Sequence, residues 1–596
     1  MALVDKVLKG ADFHKKLVSR TPDGIEVQPL YVGGDDLPDG AGFPGSDPFT
    51  RGAGASPRHG GAWDVRVSVD HPQIIEANRI LLDELLRGAT SLAVRLGGGG
   101  VSVSSVDDLE RLLEGVHLDL LPVALRPGAG FAAPVGWLRE VWSRRGVGGS
   151  EVSGCFGIDP LGTLARGGAA DVGAMMAEAA SVAVTTAAET PRVRAFAVDC
   201  VPYVEAGATP AQQLATMLAT AVVYLRAMET AGLDATTAAS QIEVRLALDA
   251  DFFGGITLCR AARRLWSALL AECGVAEDAR GMHLQVSTAS RMMTRRDPWV
   301  NLLRVTSASF AAALGGADGI IAQPFDAELG IPDDFGRRLA RNTHLLLQEE
   351  SNVGRVLDPA GGSWYVESLT EQLAHVAWEL FAGIEGDGGM AAVLADGSWA
   401  EKISSAWAVR EAAIATRRVP VTGVSEFPLI DEEPLVRPQR PGSDTGSGLP
   451  AHHDAEAYEA LRDRAAGVEP TVFLANLGPI ATHTARATWA KNFFEAGGVR
   501  ALTNDGFADA EAAASAFEAS GARIACICSS DAVYAELAGS TAAALNTAGA
   551  QRVYLAGNPG DARETYESAG VSEFVHVGVD LVASLRGALD LAGATR

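Results

Sequence analysis

The sequence predicts an α/β protein in two parts, a (β/α)8 TIM barrel followed by a smaller doubly wound α/β domain. Three observations carry that prediction. First, short apolar runs at 92–96, 120–125, 155–158, 195–198, 244–248, 284–286, 320–322 and 356–357 alternate with helical patterns such as 74–86, 211–230 and 258–273. Eight strands with a helix after each, over roughly 300 residues, is the count of such a barrel. Second, 428–454 is dense in Pro, Gly, Ser and Asp and reads as a linker too polar to pack. Third, after a helix at 455–466, apolar runs recur at 472–474, 499–502, 524–528, 553–556 and 574–577 with helices between them. Five strands within about 120 residues make a small open sheet, whose ligands sit at the carboxyl ends of the strands.

Taken in order, residues 1–60 read as an irregular arm. Gly24, Gly33-Gly34, Pro38, Pro44, Pro48 and Gly52 break its periodicity and leave Leu30, Tyr31, Phe43 and Phe49 with nothing local to pack on. The barrel spans 61–427 with its trailing helices. Within it, 320–323 is a β-branched run ahead of Pro324. Phe335, Leu339, Thr343, Leu346 and Leu347 then recur at helical spacing, and 355–358 reads as a strand stopped by Pro359-Ala-Gly-Gly. Strand, helix, strand is a βαβ unit and implies a parallel sheet. His283, Gln285 and Ser287 alternate with apolar neighbours, as do Glu243 and Arg245 one strand earlier. Polar residues at period two in a barrel strand mean either a hydrated interior or an internally satisfied hydrogen-bonded cluster. Trp378, Ile384 and Trp407 anchor the helices of 370–427.

The chain has 596 residues, 47% of them hydrophobic, and a formal net charge of −25. That charge, with no basic block, excludes a nucleic-acid binder. Six scattered cysteines in mostly apolar runs point to buried reduced thiols; Cys526 and Cys528 share one strand without a second pair to make a metal site. No run reaches signal-peptide or membrane-spanning length, so the expected location is the cytoplasm. Gly97–Gly100 is a weak candidate phosphate cradle, lacking the Lys-Ser/Thr of a P-loop.

The segments RDPWVNLLR at 296–304, FGRRLARNTHLLLQEES at 335–351 and RVLDPAGGSWYVE at 355–367 resemble the adenosylcobalamin-dependent methylmalonyl-CoA mutase family, and are most similar to its small (β) subunit. The resemblance implies that the second domain is flavodoxin-like and of the cobalamin-binding type. It also implies that the arm wraps a partner subunit. In such an enzyme the cofactor supplies the radical, and the protein supplies an axial ligand, a closed barrel and substrate positioning.

Set against the family's motifs, scaffold is retained and chemistry is removed. The cobalamin motif D-x-H-x-x-G falls on Ala481-Thr-His483-Thr-Ala-Arg486, which keeps the His but loses the Asp that orients it and the Gly that admits the cofactor's nucleotide tail. The S-x-L motif becomes Ser529-Ser530-Asp531, and the later Gly-Gly becomes Ala556-Gly557. In the barrel, Trp63 and Arg66 match, a substrate-facing Tyr falls on Ser68, and an inner Arg falls on Gly61. A His that donates to the thioester carbonyl falls on Pro202, and R-T-H-S-Q-T-S-G becomes 283–290 with its Arg and His replaced.

The expectation is therefore a small, non-catalytic subunit of a heterodimeric mutase that interconverts succinyl-CoA and (R)-methylmalonyl-CoA. It has no catalytic or metal-binding residue of its own, and His483 is a loop histidine left from the cobalamin motif. Adenosylcobalamin and the acyl-CoA belong to the large partner subunit. The alternatives are a chain that binds adenosylcobalamin through His483 and turns over an acyl-CoA itself, and a module that senses CoA esters.

Overall fold

The computed structural model describes residues 2–32, 41–56, 63–168, 171–441, 448–591 and 594. Gly33-Gly34, Pro38 and Gly61 lie outside the described residues. The chain divides into two compact units. One comprises Met1–Met292, Asn301–Trp407 and Val436–His452; the other comprises Met293–Val300, Ala408–Leu435 and His453–Arg596.

The first unit is built on a closed, all-parallel barrel. Its strands are β1 (Asp64–Val69), β2 (Ser91–Arg95), β3 (Val123–Arg126), β4 (Gly154–Ile158), β5 (Val193–Asp199), β6 (Ile242–Leu248), β7 (Leu284–Thr288) and β8 (Gly319–Ile321). They pair in sequence order, and β8 closes on β1. The eightfold count matches the sequence expectation, but one member differs. Residues 356–357 are loop, with Val356 62% exposed and Asp358 buried and bound by Arg51 and Arg260. The missing strand is β1, whose sequence DVRVSV interrupts its apolar character with Arg66 and Ser68 at every second position. The second run also shifts, since Leu120 is 76% exposed and the strand starts only after Pro122.

Helices surround the barrel, and their ends are fixed by side-chain caps. Helix Pro210–Thr230 starts with a reciprocal Thr209–Gln212 capping box and Pro at its first position. Helix Asp334–Leu345 turns a different face inward from the one its apolar spacing predicts. Phe335 is exposed, while Gly336, Ala340, Arg341 and His344 are buried. Arg341 reaches Glu84 at 2.8 Å, and His344 Nδ1 accepts from Trp63 Nε1 at 3.1 Å. Specific polar partners thus decide which side faces in.

In the arm, Ile25, Phe49 and Thr50 are buried and Tyr31 packs on Tyr365, whereas Leu3, Val7, Leu30 and Phe43 are exposed. The stretch read as a linker is anchored instead of free. Arg437 binds Asp326 and Asp333, Ile331 N–H donates to Pro438 O, and Arg440 binds Asp70 at 2.7 Å. Further on, Leu449 and His452 N–H groups donate to Ala165 O and Glu205 O. Its arginines find carboxylates near the carboxyl ends of the barrel strands, which a composition-based reading does not register.

The second unit holds five parallel strands, β9 (Thr471–Asn476), β10 (Arg500–Leu502), β11 (Ile524–Cys528), β12 (Arg552–Ala556) and β13 (Glu573–Val575), in the order β10-β9-β11-β12-β13. This is the second-first-third-fourth-fifth order of a doubly wound sheet. Alternation sends Val472 and Leu474 to one face, with Phe493, Phe494 and Leu585, and Phe473 and Ala475 to the other, with Phe517 and Leu545. Both faces are therefore covered. No described helix is long and apolar enough to cross a membrane.

Candidate functional site

Alternation also places every second barrel residue on the inner wall. From β1, Arg66 reaches across it. Its Nε donates to Ser91 Oγ at 3.1 Å, and Nη1 donates to Glu243 Oε2 and Gln285 Oε1, each at 3.0 Å. Arg245 donates Nε to the other Glu243 oxygen at 2.8 Å and Nη2 to Leu125 O at 3.3 Å. These side chains are all buried. Burial alone would raise the Glu243 carboxyl, but Arg66 and Arg245 outweigh it and hold the group far below the usual carboxylate range. His283 lies at the edge of this cluster, 3.6 Å from Glu243, and burial, aided by Arg194, pushes it down to about 3. The polar alternation of β6 and β7 is thus a hydrogen-bonded cluster that plugs the barrel, with His283 Nδ1 left without a hydrogen-bond partner among the described residues.

Above the plug the same inner wall reaches water. Ser68, two residues beyond Arg66, is exposed, and so is Arg95 at the end of β2. An exposed side chain on the inside of a closed barrel means a hollow open at the carboxyl end. Charged groups ring that hollow. Arg95 and Arg126 are register partners on adjacent strands, and Arg126 is half-buried with Nε and Nη2 lacking any partner among the described residues. Burial lowers Arg126 to about 10. Arg166 binds Asp199 at 2.9 Å and lies 3.9 Å from Asp159. Asp159, which caps helix Pro160–Ala165 and accepts from Tyr224 Oη, is pushed up to about 6 by burial and by Asp199. Pro202 is buried in the short helix Val201–Glu205 and offers no donor there.

The second unit presents its own carboxyl edge. His483 is not in a loop; it lies in the first turn of helix Ile480–Ala496, which starts directly after Pro479 and is rich in helix formers. The ring is buried, with Nε2 3.3 Å from Asp505 O and Nδ1 without a partner among the described residues. Gly506 packs so closely on it, at φ 106°, that a Cβ there would sit 2.9 Å from Nε2. Arg486, one turn along the helix, lies 4.8 Å over the Tyr534 ring and donates to Ser529 O at 2.8 Å and Asp531 Oδ1 at 2.5 Å. Beyond it, a Cβ on Gly557 would come 3.1 Å from the guanidinium carbon. Arg486, Ser529, Asp531 and Gly557, scattered in sequence, therefore meet at one place. Ala481 sits two residues before His483 and carries no acceptor for its ring.

Among the residues singled out from sequence, Gly97–Gly100 closes on itself, with Gly97 N–H donating to Val101 O and Gly100 N–H to Gly97 O. Cys526 and Cys528 are buried in β11 with sulfurs 3.9 Å apart. The barrel-mouth set of Arg95, Arg126, Asp159, Arg166 and Asp199 was not anticipated. Its signal is visible afterwards: three strands end on a charged residue, Arg95, Arg126 and Asp199, at the end where barrel sites are built.

A closed parallel barrel and a separate five-stranded parallel sheet on one chain, both with polar groups at their carboxyl edges, define a two-domain α/β protein of the barrel-plus-doubly-wound class. The sequence profile of methylmalonyl-CoA mutase matches residues 20–445. A methylmalonyl-CoA mutase small subunit from Streptomyces virginiae is 46% identical over 99% of this chain and 94% of its own length. The small subunit from Propionibacterium freudenreichii subsp. shermanii is 35% identical over 99% of this chain and 92% of its own. A methylmalonyl-CoA mutase from Rhizobium meliloti is 30% identical over 73% of this chain and 64% of its own. The chain belongs to the methylmalonyl-CoA mutase family.

Proposed function

We propose that this chain is the small, non-catalytic subunit of a heterodimeric methylmalonyl-CoA mutase, and that it stabilises a large subunit which holds adenosylcobalamin and the acyl-CoA. The near full-length similarity to proteins named small subunits supports the pairing. The observation that carries the non-catalytic reading is Arg486, whose guanidinium fills the edge of the small sheet where the family's motif has glycine. Cobalamin does not fit these residues. The His483 Nε2 that would face a metal lies against Asp505 O, no carboxylate stands at Ala481 to orient the ring, and Arg486 occupies the place of the nucleotide tail. The barrel agrees, because the Arg66–Glu243–Arg245 cluster fills its interior.

The test is the absorbance of the purified chain after incubation with adenosylcobalamin and gel filtration. No retained corrinoid is expected; retention at one per chain sinks the reading. A paired assay measures turnover of the heterodimer carrying His483→Ala. Near-normal turnover is expected, and collapse with folding and assembly intact would place an active site in this chain.

A further inference from the structure

We propose that the carboxyl mouth of this barrel binds a small oxyanion between Arg95 and Arg126. Four arginines reach the mouth, and they fall into two classes. Arg166 and Arg440 each hold a carboxylate, Asp199 at 2.9 Å and Asp70 at 2.7 Å. Arg95 and Arg126 hold none among the described residues, although they stand side by side on paired strands. Neighbouring strands are only ~5 Å apart, so two cations set there repel; Asp70 and Asp199 stand near enough to offset part of that charge without forming an ion pair with them, and an anion between the arginines offsets the rest. Space for a ligand is shown by Ser68 and Arg95, which reach water from the inner wall.

The same geometry limits the ligand. The plug closes the axis below, so an extended thioester has no path through the barrel and the occupant is a compact phosphate or dicarboxylate. Guanidinium groups pair with either through charge-assisted hydrogen bonds. The inference is independent of the subunit assignment, because it concerns only the charges and the space that the described residues leave at this barrel mouth.

The experiment is calorimetric titration of the full-length chain with inorganic phosphate and, separately, with succinate, both in chloride buffer. Saturable binding of at least one is expected. Arg126→Gln and Arg95→Gln should each weaken it by about tenfold or more, the loss of one charged hydrogen-bond donor set. Ser68→Phe fills the hollow and leaves every charge in place, and it too should abolish binding; it carries the test if an arginine variant fails to fold. Saturation by phosphate alone assigns a phosphoryl group, and saturation by succinate alone assigns a dicarboxylate. Binding of neither anion, or equal binding by the native chain and all three variants, overturns the proposal.

Discussion

Glu243 is the residue on which the barrel interior turns. It is the carboxylate that Arg66 and Arg245 share in the buried cluster, and those guanidiniums have no water to fall back on. Glu243→Ala should destabilise the chain by about 3–5 kcal/mol, the cost of stranding a buried charge. Chemical denaturation reads it directly. A triple change of Arg66, Glu243 and Arg245 to apolar residues of similar volume should recover most of the loss, which distinguishes charge from packing. His283 gives a pH signature. Its folded value of about 3 lies below the ordinary histidine value, so the unfolded chain binds the extra proton first. Its contribution to stability is complete above about pH 6.5 and falls away as the pH drops from there toward 3. Replacing His283 with Gln should flatten the stability profile across that window. An unchanged slope between pH 6.5 and 4 would show that the acid sensitivity lies elsewhere.

At the scale of elements, apolar periodicity was legible wherever burial is achieved by apolar side chains, and illegible where it is achieved by polar pairs. Seven of the eight barrel strands and all five strands of the small sheet announce themselves as apolar runs. β1 does not, because Arg66 and Ser68 face the interior, and 356–357 imitates a strand although it is a loop pinned by Arg51 and Arg260 at Asp358. Helix Asp334–Leu345 shows the same limit in another form, since Arg341 and His344 are buried while Phe335 is not. Of the sites, the replaced motif positions were readable one by one; that Arg486 contacts Asp531 and Ser529 required the fold. The anchored segment 436–452 follows suit. Arg437 ties it to Asp326, a fully buried carboxylate. Arg437→Ala should therefore release it, giving faster proteolytic cleavage near 437 with the barrel's unfolding midpoint lowered. Cleavage at the native rate would show that the backbone bonds to Pro438, Leu449 and His452 suffice.

For the whole molecule, the arm separates into a part the barrel holds and a part it does not. Asp23 accepts from Ala211 N–H, Ile25 and Phe49 are buried, and Arg51 binds Asp358 at 2.9 Å. Helices Ala2–Leu8 and Phe13–Leu17 bury nothing comparable, and Leu3 and Val7 are 80% and 78% exposed. Removing residues 1–18 should weaken association with the large subunit and leave the unfolding midpoint of this chain alone. Removing residues 1–56 should lower that midpoint as well, since Asp358 loses Arg51 and the Ala211 N–H loses Asp23. Unaltered association in the shorter deletion would assign the contact elsewhere.

The buried Arg66–Glu243–Arg245 cluster also has a meaning over generations. Glu243 is shared by both arginines, so a substitution that removes it first leaves two guanidiniums stranded in the interior, whereas loss of either arginine leaves one pair intact. The order of substitution therefore matters even where an apolar end state is viable.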